Sequence, residues 1–345
     1  MVEIRKEVTK DEWSIIASTR SERPFDFSQV TRESEEKNNS DCPFCPGNET
    51  ATPPEIYAIR RGKEPGESDW EVRVFSNKFP ALDQDGTTAV IESDLFKSKG
   101  GFGYHEVVAE TPKHIESLTE LEVEKLELVI QTYIERTRAL SEGPEIEYVS
   151  VFRNQGKKAG ASLSHPHSQI MATSFVPKLL ETEYREARHF FEKKGSCLYC
   201  RLLEAERKEE ERIVSENDEF VAFIPFGARF PYETHIYPRN HGSNFAEQGA
   251  VETNLLASML KRTLSALGEE FGGYIPYNYS IHTGPAGGSE DYKDLTEAYH
   301  WHLEIIPRLT TPAGFERGSG NFINVVSPEQ AARKLRKGLA QSKQK

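Results

Sequence analysis

The sequence predicts an α+β fold built from two tandem modules, each an antiparallel sheet with flanking helices. One order of features occurs twice along the 345 residues: a Cys-x-x-Cys pair, a strand, a strand followed by a histidine, an amphipathic helix, a strand and a His-x-His motif. Chance does not readily supply six features twice in the same order, so we interpret the chain as an internal duplication. We place the modules at residues 1–190 and 191–330, followed by a polar tail at residues 331–345.

The composition is that of a globular protein, with 37% hydrophobic and 28% charged residues. A chain of this length can bury a sizeable core in one large or two ordinary domains. It has no long apolar run, and Met1–Lys6 lacks the apolar core of a secretory signal, so we expect a cytoplasmic protein with no membrane partner. The net charge of −12 argues against nucleic acid as a partner, but local arginines could still hold a small phosphorylated substrate.

The elements of the first module follow from residue periodicity. Alternating apolar residues indicate strands, and apolar residues that recur every three to four positions indicate an amphipathic helix. Residues 3–25 are predicted as an edge strand and loop. The other predicted elements are strands at Val72–Phe75, Tyr104–Glu110 and Tyr148–Phe152, and helices at 118–141 and Glu181–Lys194.

The second module repeats this pattern with its own residues. Its Cys-x-x-Cys pair is followed by a strand region in which Asn217 corresponds to Asn77 of the first module. The matching segments are Arg212–Phe223, Thr234–His241, a helix at Leu255–Phe271, Tyr277–His282 and His300–Pro307.

The His165–Ala172 segment contains the residues best suited to chemistry. In a strand, side chains at every second position lie on one face, so His165, His167 and Gln169 would lie side by side. Ile170 and Ala172 would then face a hydrophobic core. Two imidazoles and a carboxamide in a row are costly to bury without partners. A lone His-x-His would be interpreted as two hydrogen-bonded surface histidines beside a chance glutamine, and it is the rest of the chain that favours a functional cluster.

The four cysteines indicate two zinc sites. Each module supplies a closely spaced cysteine pair and two histidines, and two thiolates with two imidazoles form the closed tetrahedral shell of structural zinc. Buried free thiols are the alternative. A redox role is disfavoured because neither pair opens a helix in a βαβ unit. The predicted ligands are Cys42, Cys45, His114 and His165 in the first module, and Cys197, Cys200, His241 and His300 in the second.

If zinc takes His165, then His167 is free to act as a nucleophile. A neutral imidazole can attack phosphorus and carry the group as a phosphoramidate. Gln169 cannot act as an acid or base at neutral pH but can hydrogen-bond a phosphoryl oxygen, which favours transfer over hydrolysis, as of dinucleoside polyphosphates. In the second module His302 stands in the nucleophile's place, but Glu304 replaces the glutamine. Because a carboxylate repels phosphate, we expect the second module to be structural or to assist the first site.

Taken together, these motifs resemble the nucleotidylyltransferase branch of the histidine-triad superfamily, typified by galactose-1-phosphate uridylyltransferase. The resemblance implies two histidine-triad-like modules and a homodimer. It also implies ping-pong transfer: His167 takes a nucleoside monophosphate from a nucleotide sugar such as UDP-glucose, and a sugar phosphate such as galactose-1-phosphate, or phosphate itself, then receives it. The substrate-binding residues implied are Arg20, Arg23, Asn77, Asn154, Ser162 and Gln169. From spacing alone, Arg20 and Arg23 would be read as part of a solvated loop.

Two departures from this family keep alternatives open. Bacterial members carry glycine where this chain has Ser168, and they hold a second metal, iron or zinc, with a glutamate and three histidines. Residues Glu183, His282, His300 and His302 match that set by position, so His300 is shared by two alternative sites; we favour the thiolate site. Ser168, the second Cys-x-x-Cys and the segments 276–283 and 314–320 also resemble a plant ADP-glucose phosphorylase. Adenylyl transfer to phosphate is therefore one alternative, and a zinc-stabilised nucleotide-binding module without turnover is another.

Overall fold

A computed structural model describes residues 2–18, 41–60, 69–115, 117–286, 292 and 294–342. The predicted phosphate contacts Arg20 and Arg23 lie outside these residues. The strands are β1 Val2–Glu7, β2 Glu12–Ala17, β3 Glu55–Arg60, β4 Trp70–Ser76, β5 Val90–Glu92, β6 Lys97–Lys99, β7 Gly103–Ala109, β8 Tyr148–Gln155, β9 His167–Thr173, β10 Ile213–Glu216, β11 Phe220–Phe223, β12 Thr234–Pro238, β13 Tyr277–His282, β14 His302–Pro307 and β15 Phe322–Asn324.

Seven α-helices accompany these strands in the described part of the chain. They are α1 Val123–Ser141, α2 Lys178–Lys194, α3 Leu198–Glu209, α4 Ala250–Glu270, α5 Leu295–Ala298, α6 Gly314–Ser319 and α7 Pro328–Ser342. The predicted helix at 118–141 is divided: Leu118–Glu120 is a separate 3-10 turn with a Ser117 capping box, and α1 starts at Val123. The helix α3 was missed by the sequence analysis.

Ten strands form one antiparallel sheet whose order mirrors the duplication. The order is β3-β4-β7-β9-β8 for the first module, continuing through β13-β14-β12-β11-β10 for the second. The strands β8 and β13 pair at the centre, where Asn154 lies opposite Asn278. The α+β fold with two duplicated antiparallel units is confirmed. The predicted module boundary at residue 190 falls inside α2.

The two faces of the sheet have different roles. Ile170 and Ala172 of β9 are fully buried in the main core, as the alternation predicted. The helices α1 and α4 pack against each other and contribute to this core. On the opposite face lie His167 and Gln169 of β9. Over the second module this face is covered by α2 and α3, which form a second hydrophobic cluster with β11 and β12.

Both ends of the chain pack onto the second module. The hairpin β1–β2 forms a small sheet with β15, which runs parallel to β2. The part of the predicted polar tail that the structure describes, residues 331–342, does not extend into solvent as a tail, because it belongs to α7, which contacts α4 and β10. Its apolar stripe, buried in the main core, is Ala331, Ala332, Leu335 and Leu339. No helix among the described residues is long and apolar enough to cross a membrane.

Candidate active site and metal centres

The backbone fixes the tautomer of His167, the first residue of β9. Its Nδ1 lies 2.8 Å from the carbonyl oxygen of His165, and a carbonyl can only accept, so Nδ1 carries the hydrogen. The lone pair is therefore on Nε2. The ring of Phe44 packs edge-on against His167, with centroids 5.4 Å apart. Burial lowers the pKa of His167, and the side chain is neutral and nucleophilic at pH 7.

Gln169 lies two residues further along the same face and is oriented by His105 of β7. The backbone N–H of Ala81 donates to His105 Nδ1 at 3.2 Å, which leaves the ring hydrogen on Nε2. That hydrogen points to Gln169 Oε1, with an Nε2–Oε1 distance of 2.7 Å. Because the carboxamide oxygen is taken, the NH2 group of Gln169 is the end left to donate to a substrate oxygen.

Ser168 points to the other face, into a buried polar network. Tyr133 from α1 places its hydroxyl 2.8 Å from Ser168 Oγ, 2.9 Å from Glu110 Oε1 and 2.7 Å from the hydroxyl of Tyr279. Arg153 of β8 donates to Glu110 at 2.9 Å and is itself 2% exposed. A serine at position 168 thus ties β9 to the helix behind it, a contact that glycine cannot make.

The first predicted zinc ligands converge on one point. Ligand atoms of Cys42, Cys45, His114 and His165 all lie within 4.8 Å of one another. Cys45 Sγ is 3.3 Å from His114 Nδ1 and 3.5 Å from His165 Nδ1, close to the edge of about 3.6 Å expected between sulfur and nitrogen in a tetrahedral zinc shell. His165 Nε2 donates to the Thr111 carbonyl at 2.8 Å, so Nδ1 is the ligand atom.

The second thiolate set has the same geometry. Cys197, Cys200, His241 and His300 also lie within 4.8 Å, and Cys200 Sγ is 3.4 Å from Nδ1 of both histidines. His241 Nε2 donates to the Thr296 carbonyl at 2.9 Å. Cys197 occupies the N-cap position of α3 and makes no side-chain cap hydrogen bond. This helix connects α2 to an antiparallel strand, and the redox βαβ context is still missing.

The alternative second metal set is only partly assembled. Glu183 from α2, His282 from β13 and His302 from β14 come together, but His300 lies in the thiolate set and the fourth member is Glu304. His282 Nδ1 donates to Glu183 at 3.0 Å. The predicted set of Glu183, His282, His300 and His302 is therefore not brought together, because His300 lies before β14, with its Nδ1 3.4 Å from Cys200 Sγ.

The remaining predicted substrate residues are distributed around β9. Asn77 follows β4, and its Nδ2 lies 3.2 Å from His105 Nε2. Asn154 lies on β8, on the same face as His167, and its Oδ1 accepts from Asn278 at 2.6 Å. Ser162 is exposed in the loop before the His-Pro-His segment. The structure thus places Asn77 close to Gln169 through His105.

Sequence reasoning missed His105 and Phe44 as parts of the site. His105 was assigned to a strand without a role, although the strand's alternation puts it on the same face as Val107, which pairs with Gln169. This shared face of the strand is the feature of the sequence that could have identified His105 as part of the site. Phe44 was read only as a spacer between two cysteines, yet that spacing is what holds its ring against the imidazole of His167.

Known proteins with similar sequences and structures share one family. The family model described as galactose-1-phosphate uridyl transferase, N-terminal domain, matches residues 2–177, and one described as a domain of unknown function matches residues 104–345. ADP-glucose phosphorylase of Arabidopsis thaliana is 34% identical over 97% of this chain and 92% of that protein. Galactose-1-phosphate uridylyltransferase of Thermotoga maritima is 33% identical over 97% of this chain and 98% of that protein.

Two solved structures extend this likeness to the fold. The Arabidopsis thaliana ADP-glucose phosphorylase with bound ADP-glucose superposes with a TM-score of 0.81 at 32% identity, covering 97% of this chain and 99% of the other. A uridylyltransferase superposes with a TM-score of 0.75 at 31% identity, covering 99% of each. With this family model over residues 2–177 and these relatives over nearly the whole chain, the chain belongs to the galactose-1-phosphate uridylyltransferase family.

Proposed function

We propose that this protein is a nucleotidylyltransferase that moves a nucleoside monophosphate from a nucleotide sugar to a phosphate-bearing acceptor through a nucleotidyl-His167 intermediate. The observation that carries the proposal is the His167 geometry: Nδ1 is tied to the His165 carbonyl and Nε2 holds the lone pair. Donation from Nδ1 orients the ring and stabilises the positive charge that develops when Nε2 bonds to phosphorus.

The reaction has two balanced displacements. First, Nε2 of His167 attacks the α-phosphorus, an N–P bond forms, and the P–O bond to the departing sugar 1-phosphate breaks. Second, an oxygen of the acceptor phosphate attacks the same phosphorus and the N–P bond breaks, which restores neutral His167. The NH2 group of Gln169, oriented by His105, donates to a non-bridging phosphoryl oxygen in both steps.

The donor is proposed to be UDP-glucose and the acceptor a hexose 1-phosphate such as galactose-1-phosphate. Support comes from the family model and from the Thermotoga maritima relative. A second candidate, adenylyl transfer from ADP-glucose to phosphate, is favoured by the similarity to the Arabidopsis thaliana phosphorylase solved with ADP-glucose. Arg20, Arg23, Asn77, Asn154 and Ser162 are proposed to hold the donor in either case.

Zinc is proposed as a structural component at both thiolate sites. In the first site zinc would hold His165, whose carbonyl orients His167, so its contribution to chemistry is through positioning. Closed four-ligand shells leave no position for substrate. A cytoplasmic homodimer is also proposed, on family resemblance.

Intact-protein mass measurement tests the function directly. The protein is incubated with UDP-glucose or with ADP-glucose without any acceptor, and the acid lability of any added mass is checked. A uridylyl increment that is absent in His167→Asn supports the proposal, and an adenylyl increment instead identifies the second candidate. No increment from either donor would favour a nucleotide-binding module without turnover.

A further inference from the structure

The second module contains a buried pocket that could hold a metal ion by its side chains alone. Ligand atoms of Glu183, His282, His302 and Glu304 lie within 4.8 Å of one another, and all four residues are buried. Carboxylates with imidazoles are a common ligand set for zinc or iron. Whether the pocket binds a metal ion depends on the other charged groups that lie in it.

Lys10 already supplies a cation to this pocket. Its side chain is fully buried, and its Nζ pairs with Glu304 and lies 3.9 Å from Glu183 Oε1. Burial and Arg229 lower the pKa of Lys10, but Glu304, Glu183 and Glu233 outweigh them and raise it. The ammonium group of Lys10 therefore lies beside the two carboxylates that a metal would need.

Arg229 adds a second fixed charge. Its Nη2 donates to Glu304 Oε2 at 3.0 Å and to Glu233 Oε1 at 2.9 Å. His235 Nε2 also lies 3.2 Å from Glu304 Oε1. Glu304 thus contacts the ammonium of Lys10, the guanidinium of Arg229 and the imidazole of His235. These contacts largely neutralise its negative charge, so its attraction for a divalent ion is weak. A metal beside Lys10 and Arg229 would be repelled strongly in a water-free site.

Most ring nitrogens of His282 and His302 already make hydrogen bonds within the protein. His282 uses Nδ1 for Glu183 and Nε2 for the Ser280 hydroxyl at 3.1 Å. His302 donates Nδ1 to the His300 carbonyl at 3.1 Å. Its Nε2 makes no hydrogen bond to any described residue. That lone pair is the one a metal would take if the ammonium group were removed.

The N-terminal hairpin is built to deliver Lys10. Two residues of the turn between β1 and β2 are buried, Thr9 and Lys10 at 0% and 2% exposed, and Glu7 at the end of β1 is 4% exposed. Thr9 donates to Glu7 at 2.9 Å within the turn. A Cβ at Gly227 would lie 2.6 Å from the backbone nitrogen of Glu7, so glycine is needed for the hairpin to approach this closely.

We propose that the ammonium group of Lys10 is the built-in cation of this pocket, so that the second module binds metal at its thiolate site and not at the Glu183–His282–His302–Glu304 cluster. The β1–β2 hairpin thereby closes the pocket of the second module. This pocket is the counterpart of the proposed nucleophile site in the first module. This inference concerns the fold and is independent of the proposed transfer activity.

The proposal is tested by measuring the metal content of the whole protein. It is measured after growth with zinc and iron, and again after titration with cobalt(II). We expect two equivalents in the wild type, each with a thiolate-to-cobalt charge-transfer band, and one fewer in Cys200→Ser. Lys10→Met should bind a third equivalent that adds no thiolate band. The matched control is Lys6→Met, which removes a half-exposed lysine of the same hairpin and should stay at two.

Three equivalents in the wild type would overturn the proposal, and this holds even if Lys10→Met does not fold. Two equivalents in a Lys10→Met variant with native circular dichroism would overturn it as well. Retention of both equivalents in wild-type-like Cys200→Ser, with no thiolate band from the second ion, would show that this ion occupies the carboxylate cluster, against the proposal.

Discussion

The two modules share one backbone plan but differ in charge at corresponding positions. In each, the second histidine of the His-x-His motif donates Nδ1 to the carbonyl of the first, at 2.8 Å for His167 and 3.1 Å for His302. In each, the aromatic residue before the second cysteine packs on that imidazole: Phe44 on His167 and Tyr199 on His302, both at 5.4 Å. An oriented, desolvated histidine is thus common to both modules.

The difference begins two residues later on the strand. Gln169 is neutral and hydrogen-bonded to His105, which leaves amide hydrogens for a phosphate. Glu304 is charged and is enclosed by Lys10 and Arg229. An oriented histidine therefore does not by itself make a phosphate site. The charge of its neighbour, and what covers that neighbour, decide whether an anion can approach.

The largest effect expected is from removing the proposed nucleophile, His167. His167→Asn should lower the transfer rate by about 10⁴-fold or more and abolish the covalent nucleotidyl adduct, because the amide cannot attack phosphorus. His302→Asn, the corresponding change in the second module, should still form the adduct. Intact mass after donor addition measures both. An adduct on His167→Asn, or its loss from folded His302→Asn, would reverse the assignment of the two modules.

Gln169→Glu gives the first module the charge pattern of the second. The substitution would exchange the NH2 donor of Gln169 for a negatively charged carboxylate that faces the phosphate. We therefore expect the transfer rate to fall by roughly 10³-fold. Gln330→Glu makes the same charge change on the exposed surface of α7 and should have no effect. Steady-state rates of both variants provide the comparison, and near-wild-type activity of Gln169→Glu would remove the proposed role of the amide.

His105→Ala tests orientation without changing charge at the reacting atoms. Gln169 could then present either its oxygen or its NH2 group, and we expect kcat to fall by roughly 10- to 100-fold with KM little changed. His189→Ala, an exposed histidine of α2, is the control. A change in KM alone would mean that His105 contributes to binding and not to orientation.

The smallest effect is an acid-dependent loss of stability in the second module. Burial raises the pKa of Glu183, but the charge and hydrogen bond of His282, with His302 and Lys10, outweigh it and lower the pKa from 4.5 to about 2. A lowered carboxylate pKa stabilises the fold above pH 4.5, and this contribution disappears as the pH falls towards 2.

Urea unfolding at several pH values measures this contribution. Glu183→Gln should be less stable than wild type at pH 7, and the difference should shrink below pH 4.5. Glu181→Gln, on the exposed side of the same helix, should follow the wild-type curve. A constant difference at all pH values would show that the lost contact is not ionic.

Much of the first module's site could be predicted because it depends on local periodicity. The alternation of a strand determines that His167 and Gln169 share one face and that Ile170 faces the core. The Cys-x-x-Cys spacing likewise predicts that two thiols meet. The tail was mispredicted because its charged residues suggested solvent exposure, whereas Ala332 and Leu335 form an apolar stripe that only α4 and β10 reveal.

The sequence by itself determined the duplicated order of elements and the shared face of His167 and Gln169, because these follow from the repeated pattern and from strand alternation. The same repeat grouped each cysteine pair with its two histidines. Tertiary structure alone decided that His105 orients Gln169 from a neighbouring strand, and that Lys10 reaches Glu304 across 294 positions of the chain. It also separated His300 from the carboxylate cluster. Long-range contacts of this kind depend on which surfaces pack together, and a single sequence carries no local pattern for them.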